Sequence, residues 1–415
     1  MRIAVVGGGI AGMMASYVLD REHDVTLFEA GETLGGHTLT VEVEGETGAQ
    51  PVDMGFIVHN DRNYPGFVRL MEELGVETAD SEMSLSIRCE RTGIEWNGSS
   101  FDQIFAQRRN LLRPSHWAML RGIVRFHEVA PKVLEEADDD LTLGEFLERE
   151  GFSGAVVDRY LVPMSAAIWS TEPARVFDYP VRTMVAFFQN HGMLQVKGRP
   201  QWRYIPGGSR TYVAAFERRW SVAVRAATPI ESIRRLRGDV AGVEVVPRGG
   251  EAERFDRVVI ATHSNQALRL LTDVSDVERE VLGAIEYQDN DVVLHTDRSF
   301  LPRNPKVWAS WNTHIGTDSG GAQLTYYMNR LQKIPGQRPY LVTLNRTAEI
   351  DPTTILEQRS MAHPLYTRQA VAAQKRWAEV SRDATWFCGA YWGWGFHEDG
   401  LQSALRVTQG LGTTW

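Results

Sequence analysis

The hydrophobic positions of this chain change period within its first thirty residues. "RIAVV" at 2–6 is a continuous apolar, β-branched run, the composition of a buried parallel strand. Ala11, Met14, Ala15 and Val18 then recur at helical spacing and predict a helix with a core face. "DVTLFE" at 24–29 predicts a second strand. Far downstream, "FDRVVIATHSNQALRLL" (255–271) reads as a buried strand running into Thr262 and then a helix. "WFCGAYWGWGFHEDGLQSALRVTQGL" (386–411) reads as a strand, a glycine-rich turn and a final helix. That helix is predicted to start near Asp399, with Leu401, Ala404, Leu405 and Gln409 along or beside one face.

The intervening stretches divide by pattern. "RNYPGFVRLMEELGV" (62–76), "PSHWAMLRGIVRFHEVAPKVLEEA" (114–137) and "LTLGEFLEREG" (141–151) predict a mostly helical insert, with Pro114 in a first turn and Gly151 as a helix stop. "DVVLHT" (291–296), "QLTYYM" (323–328) and "YLVTLN" (340–345) predict strands separated by Gly, Pro and Asn signals. No internal repeat and no low-complexity linker interrupts the chain.

The opening strand and helix frame Gly7, Gly9 and Gly12 as G-x-G-x-x-G. In that motif the first glycine allows a tight turn and the second lets backbone approach a pyrophosphate. The third lets helix and strand pack closely. The helix N-terminus directs its unpaired N–H groups at the phosphates. Glu29, ending the second strand, lies where an acid binds the ribose, and its charge would repel the 2′-phosphate of NADP. An early Arg2, the apolar run and the small-residue stretch "AGMMAS" also fit an export signal. Strand, motif, helix, strand and acid in register favour the nucleotide reading, and with it a retained N-terminus and a cytoplasmic protein.

Composition narrows the function classes. At 415 residues the chain has room for two domains with sizeable cores. A net charge of −9 argues against a nucleic-acid partner. Two cysteines, Cys89 and Cys388, leave no disulfide framework and no cysteine-rich metal site, so no metal is expected. No stretch approaches the roughly 20 apolar residues of a spanning helix.

The series "GGGIAG…E…GGH…DMG" resembles the flavin amine oxidase and phytoene desaturase superfamily of FAD oxidoreductases. The resemblance implies an α/β fold, with a Rossmann-like FAD-binding domain and a discontinuous α+β substrate domain. Residues 1–60, 205–280 and 375–415 would hold FAD, and 61–204 and 281–374 would face substrate. It implies that Gly7, Gly9, Ile10, Ala11 and Gly12 hold the diphosphate, and Glu29 and Ala30 the ribose side. Gly35, Gly36, His37 and Thr38 would approach the phosphates and ribose, and Gly55, Phe56 and Ile57 the flavin. His37 stands where many relatives have arginine. A backbone amide near Ile230 would hold the adenine, and Thr262 would lie beside the cofactor. Asp399, Gly400 and Leu401, at a helix N-terminus, would face the flavin pyrimidine edge. No covalent-flavin cysteine motif surrounds Cys388, so FAD is expected to be non-covalent.

"YLVPMSAAIWST", "FFQNHGML", "RPQWRYIPGGSRTYV" and "GAYWGWGFHEDGLQSA" resemble a bacterial group of NAD/FAD-binding proteins that accompany fatty-acyl methyl- or cyclopropane-forming enzymes. Methyl-fatty-acid desaturases are similar. That likeness implies a lipid acyl substrate, and a lipid-modifying methyltransferase as a partner. "PGGSRTY" and "DSGGAQ" lack the strand–turn–helix–acid pattern of a second dinucleotide site. Amine oxidases of this superfamily carry a lysine near the flavin on a substrate-domain strand, yet "YQDNDVVLHTD" has none.

The catalytic candidates are His191, Tyr391 and His397, each with a plainer alternative. Tyr391, Trp392 and Trp394 precede the flavin-contacting turn and either wall the isoalloxazine or pack as core. His397 and Glu398 either move a proton or cap the helix. His191, beside Asn190, either takes the proton whose partner hydride leaves, or bonds to backbone. Tyr160 and Trp169 either line the same pocket or belong to the core. Segment 104–126 carries Arg108, Arg109, Arg113, Arg121 and Arg125 and no acid, which suits peripheral contact with the inner face of a membrane or a solvated, ion-paired helix. The functions these features allow are an FAD-dependent dehydrogenase/desaturase of a methylated or unsaturated phospholipid acyl chain, a flavin amine oxidase, and a non-catalytic flavoprotein partner of a lipid methyltransferase. The oligomeric state stays open.

Overall fold

The apolar run Arg2–Val6 lies at the centre of a five-stranded parallel sheet in the computed structural model of the protein. The strand order is Ala223–Arg225, Asp24–Phe28, Arg2–Val6, Arg257–Ile260, Thr385–Phe387, so residues as far apart in sequence as Ile3 and Arg257 become paired neighbours. The structure describes the chain apart from residues 47, 137–140, 153, 170–172, 196–197, 237–240 and 317–321. Gly320 and Gly321 of "DSGGAQ" lie outside the described residues.

Alternate side chains of this sheet feed two cores, as the twofold period of a strand requires. Ile3, Val5, Val25, Leu27 and Val259 pack with the helices Ile10–Leu19 and His397–Gly410. Ala4, Val6, Phe28, Val258 and Ile260 pack with a three-stranded antiparallel sheet formed by Ile230–Leu236, Gly242–Pro247 and Glu253–Phe255. The helix Ile10–Leu19 buries nearly its whole circumference, because the C-terminal helix covers the side turned away from the sheet. A Cβ at Gly400 would reach Ile10 Cγ2 at 2.9 Å, so the two helices touch through a glycine.

A seven-stranded sheet forms the other half, ordered Ile355–Pro364, Tyr287–His295, Leu341–Leu344, Ala322–Tyr327, Trp311–Ile315, Leu85–Cys89, Ile94–Asn97. Its pairs are antiparallel except that Trp311–Ile315 runs parallel to Leu85–Cys89. The insert around 61–204 reads as mostly helical in sequence, yet it supplies these last two strands. Runs of four and five residues with one or two polar members carry too little periodicity to separate a strand from a loop.

The predicted helices occur at Pro65–Leu74, Pro114–Val129 and Leu143–Arg149. The second is shorter than its pattern suggests and passes into a 3-10 turn at Ala130–Glu135, where Pro131 removes an N–H from the ladder. These helices join Val162–Trp169 and Val181–Asn190 around a phenylalanine-rich core of Phe126, Phe146, Phe152 and Phe188. The final helix begins at His397, two residues before its predicted start, and Gln409 is exposed on it rather than beside the buried face.

Candidate functional site

The glycine loop is built for an anion. Gly7 has φ +110°, and a Cβ at Gly12 would lie 1.8 Å from the Gly7 carbonyl oxygen, so loop and helix meet without room for a side chain. The helix starts at Ile10 behind Gly9, with no side-chain cap and no acid in its first turn. Its leading N–H groups at Ile10, Ala11 and Gly12 therefore have no side-chain partner and face the loop. Gly35 bridges to Gly9, which brings the second glycine pair against the first. Space opens beside Gly9, where an added Cβ would come no closer than 4.0 Å to Gly36 Cα.

Glu29 ends the second strand with its carboxylate turned into the loop, accepting from the Gly8 N–H (2.6 Å) and the Gly31 N–H (2.7 Å). Ala30 beside it is exposed. Two backbone donors fix the carboxylate and leave acceptor lone pairs for ribose hydroxyls. Thr262 follows the strand Arg257–Ile260 directly beside Gly7. Ile230 opens its strand as a buried residue in the core that holds Phe28.

Thr38 begins an internal network. Its hydroxyl meets Tyr212 Oη at 2.5 Å and His397 Nε2 at 2.9 Å, while Tyr212 Oη lies 3.1 Å from the same nitrogen. The His397 ring stacks on Phe56 at 3.6 Å. Burial holds His397 well below the usual imidazole range, helped by His37 and His59, so it is neutral near pH 7. His397 is thus a buried strut rather than a surface cap, with Nε2 engaged. Glu398 does cap a helix, but a different one: its carboxylate accepts from the Gly66 and Phe67 N–H groups (3.0 and 2.9 Å). The Asp399 carboxylate turns back to the Phe396 N–H (2.9 Å), and burial pushes its pKa up to about 6. The Gly400 N–H is also taken, by the Phe396 carbonyl (3.1 Å), because the helix starts two residues earlier than predicted; the leading N–H groups of this helix end are those of His397, Glu398 and Asp399, not of Gly400 and Leu401.

His37 heads a second cluster. Its ring lies 5.6 Å from His263 and 5.3 Å from His363, and Nε2 is 3.2 Å from the Ala362 carbonyl. His263 stacks on Tyr287 at 4.5 Å, and the Asn290 amide donates to His363 Nδ1 at 2.8 Å. Burial lowers all three imidazoles, His263 to about 4 and His363 to about 3. The cluster is therefore uncharged near neutral pH. Gly55 lies against His37, since the Phe56 N–H donates to the His37 carbonyl at 2.9 Å, and Ile57 follows half-buried.

A third set of rings lies beyond the C-terminal turn. Phe187 stacks on His191 (3.8 Å) and on Phe396 (5.2 Å), with Trp394 edge-on at 5.8 Å. His191 Nδ1 is 2.9 Å from the Phe187 carbonyl, the backbone bond expected of a structural histidine. That bond makes Nδ1 the donor and leaves Nε2 as a lone-pair acceptor. Burial lowers the His191 pKa to about 4, so the acceptor is free at neutral pH. Trp169 packs on Phe187 at 5.0 Å and Tyr160 lies in the same core, both as interior residues. Tyr391 and Trp392 form a buried turn, their rings 5.2 Å apart. The Tyr366 hydroxyl, also buried, meets no hydrogen-bond partner among the described residues. Cys388 is buried, and burial raises its thiol far above the usual range.

Sequence reasoning passed over His263, His363, Asn290, Asp53 and Tyr212. Asp53 is fully buried and accepts from the Ser209 N–H (2.9 Å), Ser209 Oγ (2.8 Å), Thr40 Oγ1 (2.5 Å) and Gln332 Nε2 (2.9 Å). It ties "DMG" to the "PGGSRTY" turn and so has a structural signal: a lone acid in an apolar strand needs donors. His363 carries no such signal, because its partner His37 lies 326 positions upstream.

These features suit FAD. The uncapped amides of Gly9, Ile10, Ala11 and Gly12 fit a diphosphate, and the fixed Glu29 carboxylate fits a ribose. The family pattern described as flavin containing amine oxidoreductase matches residues 10–362. No curated protein matches the chain by sequence. Among solved structures, the CLA-producing fatty acid isomerase from P. acnes is similar at TM-score 0.71 and 15% identity, covering 98% of each chain. Cyclohexylamine oxidase from Brevibacterium oxydans IH-35A is similar at TM-score 0.70 and 15% identity over 99% of each chain. Putrescine oxidase bound to putrescine is similar at TM-score 0.69 and 12% identity over 99% of each. At these identities the likeness shows a shared fold. Family pattern and cradle together identify an FAD-dependent oxidoreductase, and the chain belongs to the flavin containing amine oxidoreductase family.

Proposed function

We propose that the protein is a dehydrogenase/desaturase that oxidises a fatty-acyl chain of a methylated or unsaturated phospholipid, with FAD held non-covalently. The observation that carries this reading is the ring wall of Phe187, His191, Trp394 and Phe396, whose side chains include neither a carboxylate nor a permanent cation, while the adjoining Asp399 carboxylate is taken up by the Phe396 N–H. An ammonium substrate calls for a counter-charge, whereas a hydrocarbon chain calls for apolar area. The strand Tyr287–His295 also has no lysine, and it buries Asn290 beside the histidine cluster. A fatty acid isomerase sharing this fold supports a lipid acyl substrate in such a site.

Bound FAD supplies a two-electron oxidant that accepts hydride. The ring wall positions the acyl chain and excludes water. His191 Nε2 takes the proton lost from the neighbouring carbon as the double bond forms, and its Nδ1–H bond to the Phe187 carbonyl fixes the tautomer that permits this. The N-terminus of the fourteen-residue helix, with its leading N–H groups at His397, Glu398 and Asp399, would stabilise negative charge on the reduced ring. The test is anaerobic mixing of the FAD-loaded protein with such phospholipids. Bleaching of the yellow absorbance is the expected result. Bleaching by polyamines or aromatic amines instead would make the protein an amine oxidase. No bleaching by any of these would favour a non-catalytic role.

A further inference from the structure

Large apolar side chains are exposed at only eight places among the described residues, and five of them fall between 101 and 124: Phe101, Leu111, Leu112, Trp117 and Val124. Leu112 is 88% exposed and Phe101 65%, values that an isolated monomer gains nothing by keeping. The five form a connected surface. Phe101 lies against Phe105 at 4.7 Å, Phe105 against Trp117 at 5.0 Å, and Trp117 Nε1 donates to the Leu111 carbonyl at 2.9 Å. Leu112 follows Leu111, and Val124 lies two helical turns beyond Trp117 on the helix Pro114–Val129.

The rim of this surface is basic. Arg108, Arg109, Arg121 and Arg125 are exposed around it, with Arg113 half-buried at the head of the helix. Arg108 pairs with Asp102, and Arg125 lies 3.9 Å from Glu150. Arg109 reaches only the Gly93 carbonyl (2.9 Å) and Arg113 only the Thr92 carbonyl (3.2 Å), while Arg121 meets no carboxylate among the described residues. Arg109 also lines a surface cavity of about 590 Å³, shared with Arg303 and with Arg88, whose charge Glu90 and Glu95 neutralise. A concentration of unpaired arginine on a chain of net charge −9 selects an anionic partner. Exposed Leu, Phe and Trp among arginines selects one with an apolar interior beneath an anionic face.

We propose that residues 101–125 form a peripheral docking surface for an anionic phospholipid bilayer, with Leu111, Leu112, Phe101 and Trp117 entering the interface and Arg109, Arg113, Arg121 and Arg125 at headgroup level. The surface is independent of the substrate reading: an amine oxidase with this face would bind the same bilayer.

The experiment is flotation of the full, FAD-loaded chain with vesicles of phosphatidylglycerol and phosphatidylcholine, against pure phosphatidylcholine. The expected result is partition onto the anionic vesicles that weakens as salt is raised. Arg109→Gln with Arg121→Gln lowers that partition by about thirtyfold at low salt. Leu112→Asp with Trp117→Ala lowers it by about tenfold or more even at low salt. Unchanged flavin absorbance in both double variants shows that the fold and cofactor are intact. Equal binding to neutral and anionic vesicles, no binding to either, or wild-type binding by both variants overturns the proposal. A dimer that Leu112→Asp dissolves also overturns it, because the face would then belong to a second copy.

Discussion

The glycine cradle and the ring wall are built by opposite means. The cradle uses backbone: the N–H groups of Gly9 to Gly12, in a loop where Gly7, Gly12 and Gly35 leave no space for a Cβ and Gly9 leaves room for a ligand. Its parts come from one run of the chain, between Gly7 and Thr38. The wall uses side chains only, with Phe187 and His191 from one helix, Trp394 and Phe396 from a turn some two hundred residues later. Backbone recognition is intolerant, since one added methyl group displaces the chain itself. Ring packing is tolerant in volume, and under the proposed function only the His191 ring, with its acceptor nitrogen, resists replacement.

The largest effect should fall on the cradle. Gly12→Ala would force its Cβ against the Gly7 carbonyl, and the purified variant is expected to be colourless. Yellow protein with bound FAD would break the contrast at its strongest point. His191→Phe keeps the stack on Phe187 but removes the acceptor, so kcat should fall by about 10²- to 10⁴-fold with flavin content and KM little changed. An unaltered kcat would leave His191 purely structural. Glu29→Ala removes a carboxylate that accepts two N–H bonds at once, and FAD affinity, measured by fluorescence titration, should weaken about ten- to a hundredfold. Phe396→Leu, a change of ring for aliphatic volume, should alter kcat/KM by less than about tenfold. A colourless Phe396→Leu would show that the wall also holds the cofactor.

A pH titration of stability separates the regions further. His191 and His263 sit near 4 and His363 near 3, all below an unfolded value of about 6.5. The folded state therefore binds fewer protons than the unfolded chain, and stability drops as pH falls from about 6.5 toward 4. Asp53 and Asp399, raised to about 6, oppose this between about pH 4 and 6, because the folded state holds their protons. With His59 and His295 also near 4, the histidines outnumber the two acids. The melting temperature should accordingly fall between pH 7 and 5. His191→Phe should remove about 1 kcal/mol per pH unit from the fall in unfolding free energy over that range.

The asymmetry between the regions is also an asymmetry of legibility. The place of Glu29 is readable because an acid ends the second strand after a glycine fingerprint, and the structure turns its carboxylate into the glycine loop. The helix Pro65–Leu74 was readable because Pro65 and Gly75 punctuate an apolar stripe. The strands Leu85–Cys89 and Ile94–Asn97 were not, because their pairing with Trp311–Ile315 is a long-range event with no local pattern. His397 is hard to place for the same reason. Its neighbours in sequence are a glycine-rich turn and two acids, whereas its neighbours in space are Phe56, Thr38 and Tyr212.

Sequence alone determined the glycine loop, four of the five strands of the sheet it hangs from and the helix that closes the chain. Each of these is enforced by local demands: a β-branched run, glycines where backbone must bend or touch, and an apolar stripe at helical spacing. Only the tertiary structure decided which imidazoles are neutral struts, which one keeps a free lone pair, and which carboxylates are buried. Those properties come from desolvation and from partners hundreds of residues away, and neither is written at the residue that feels them.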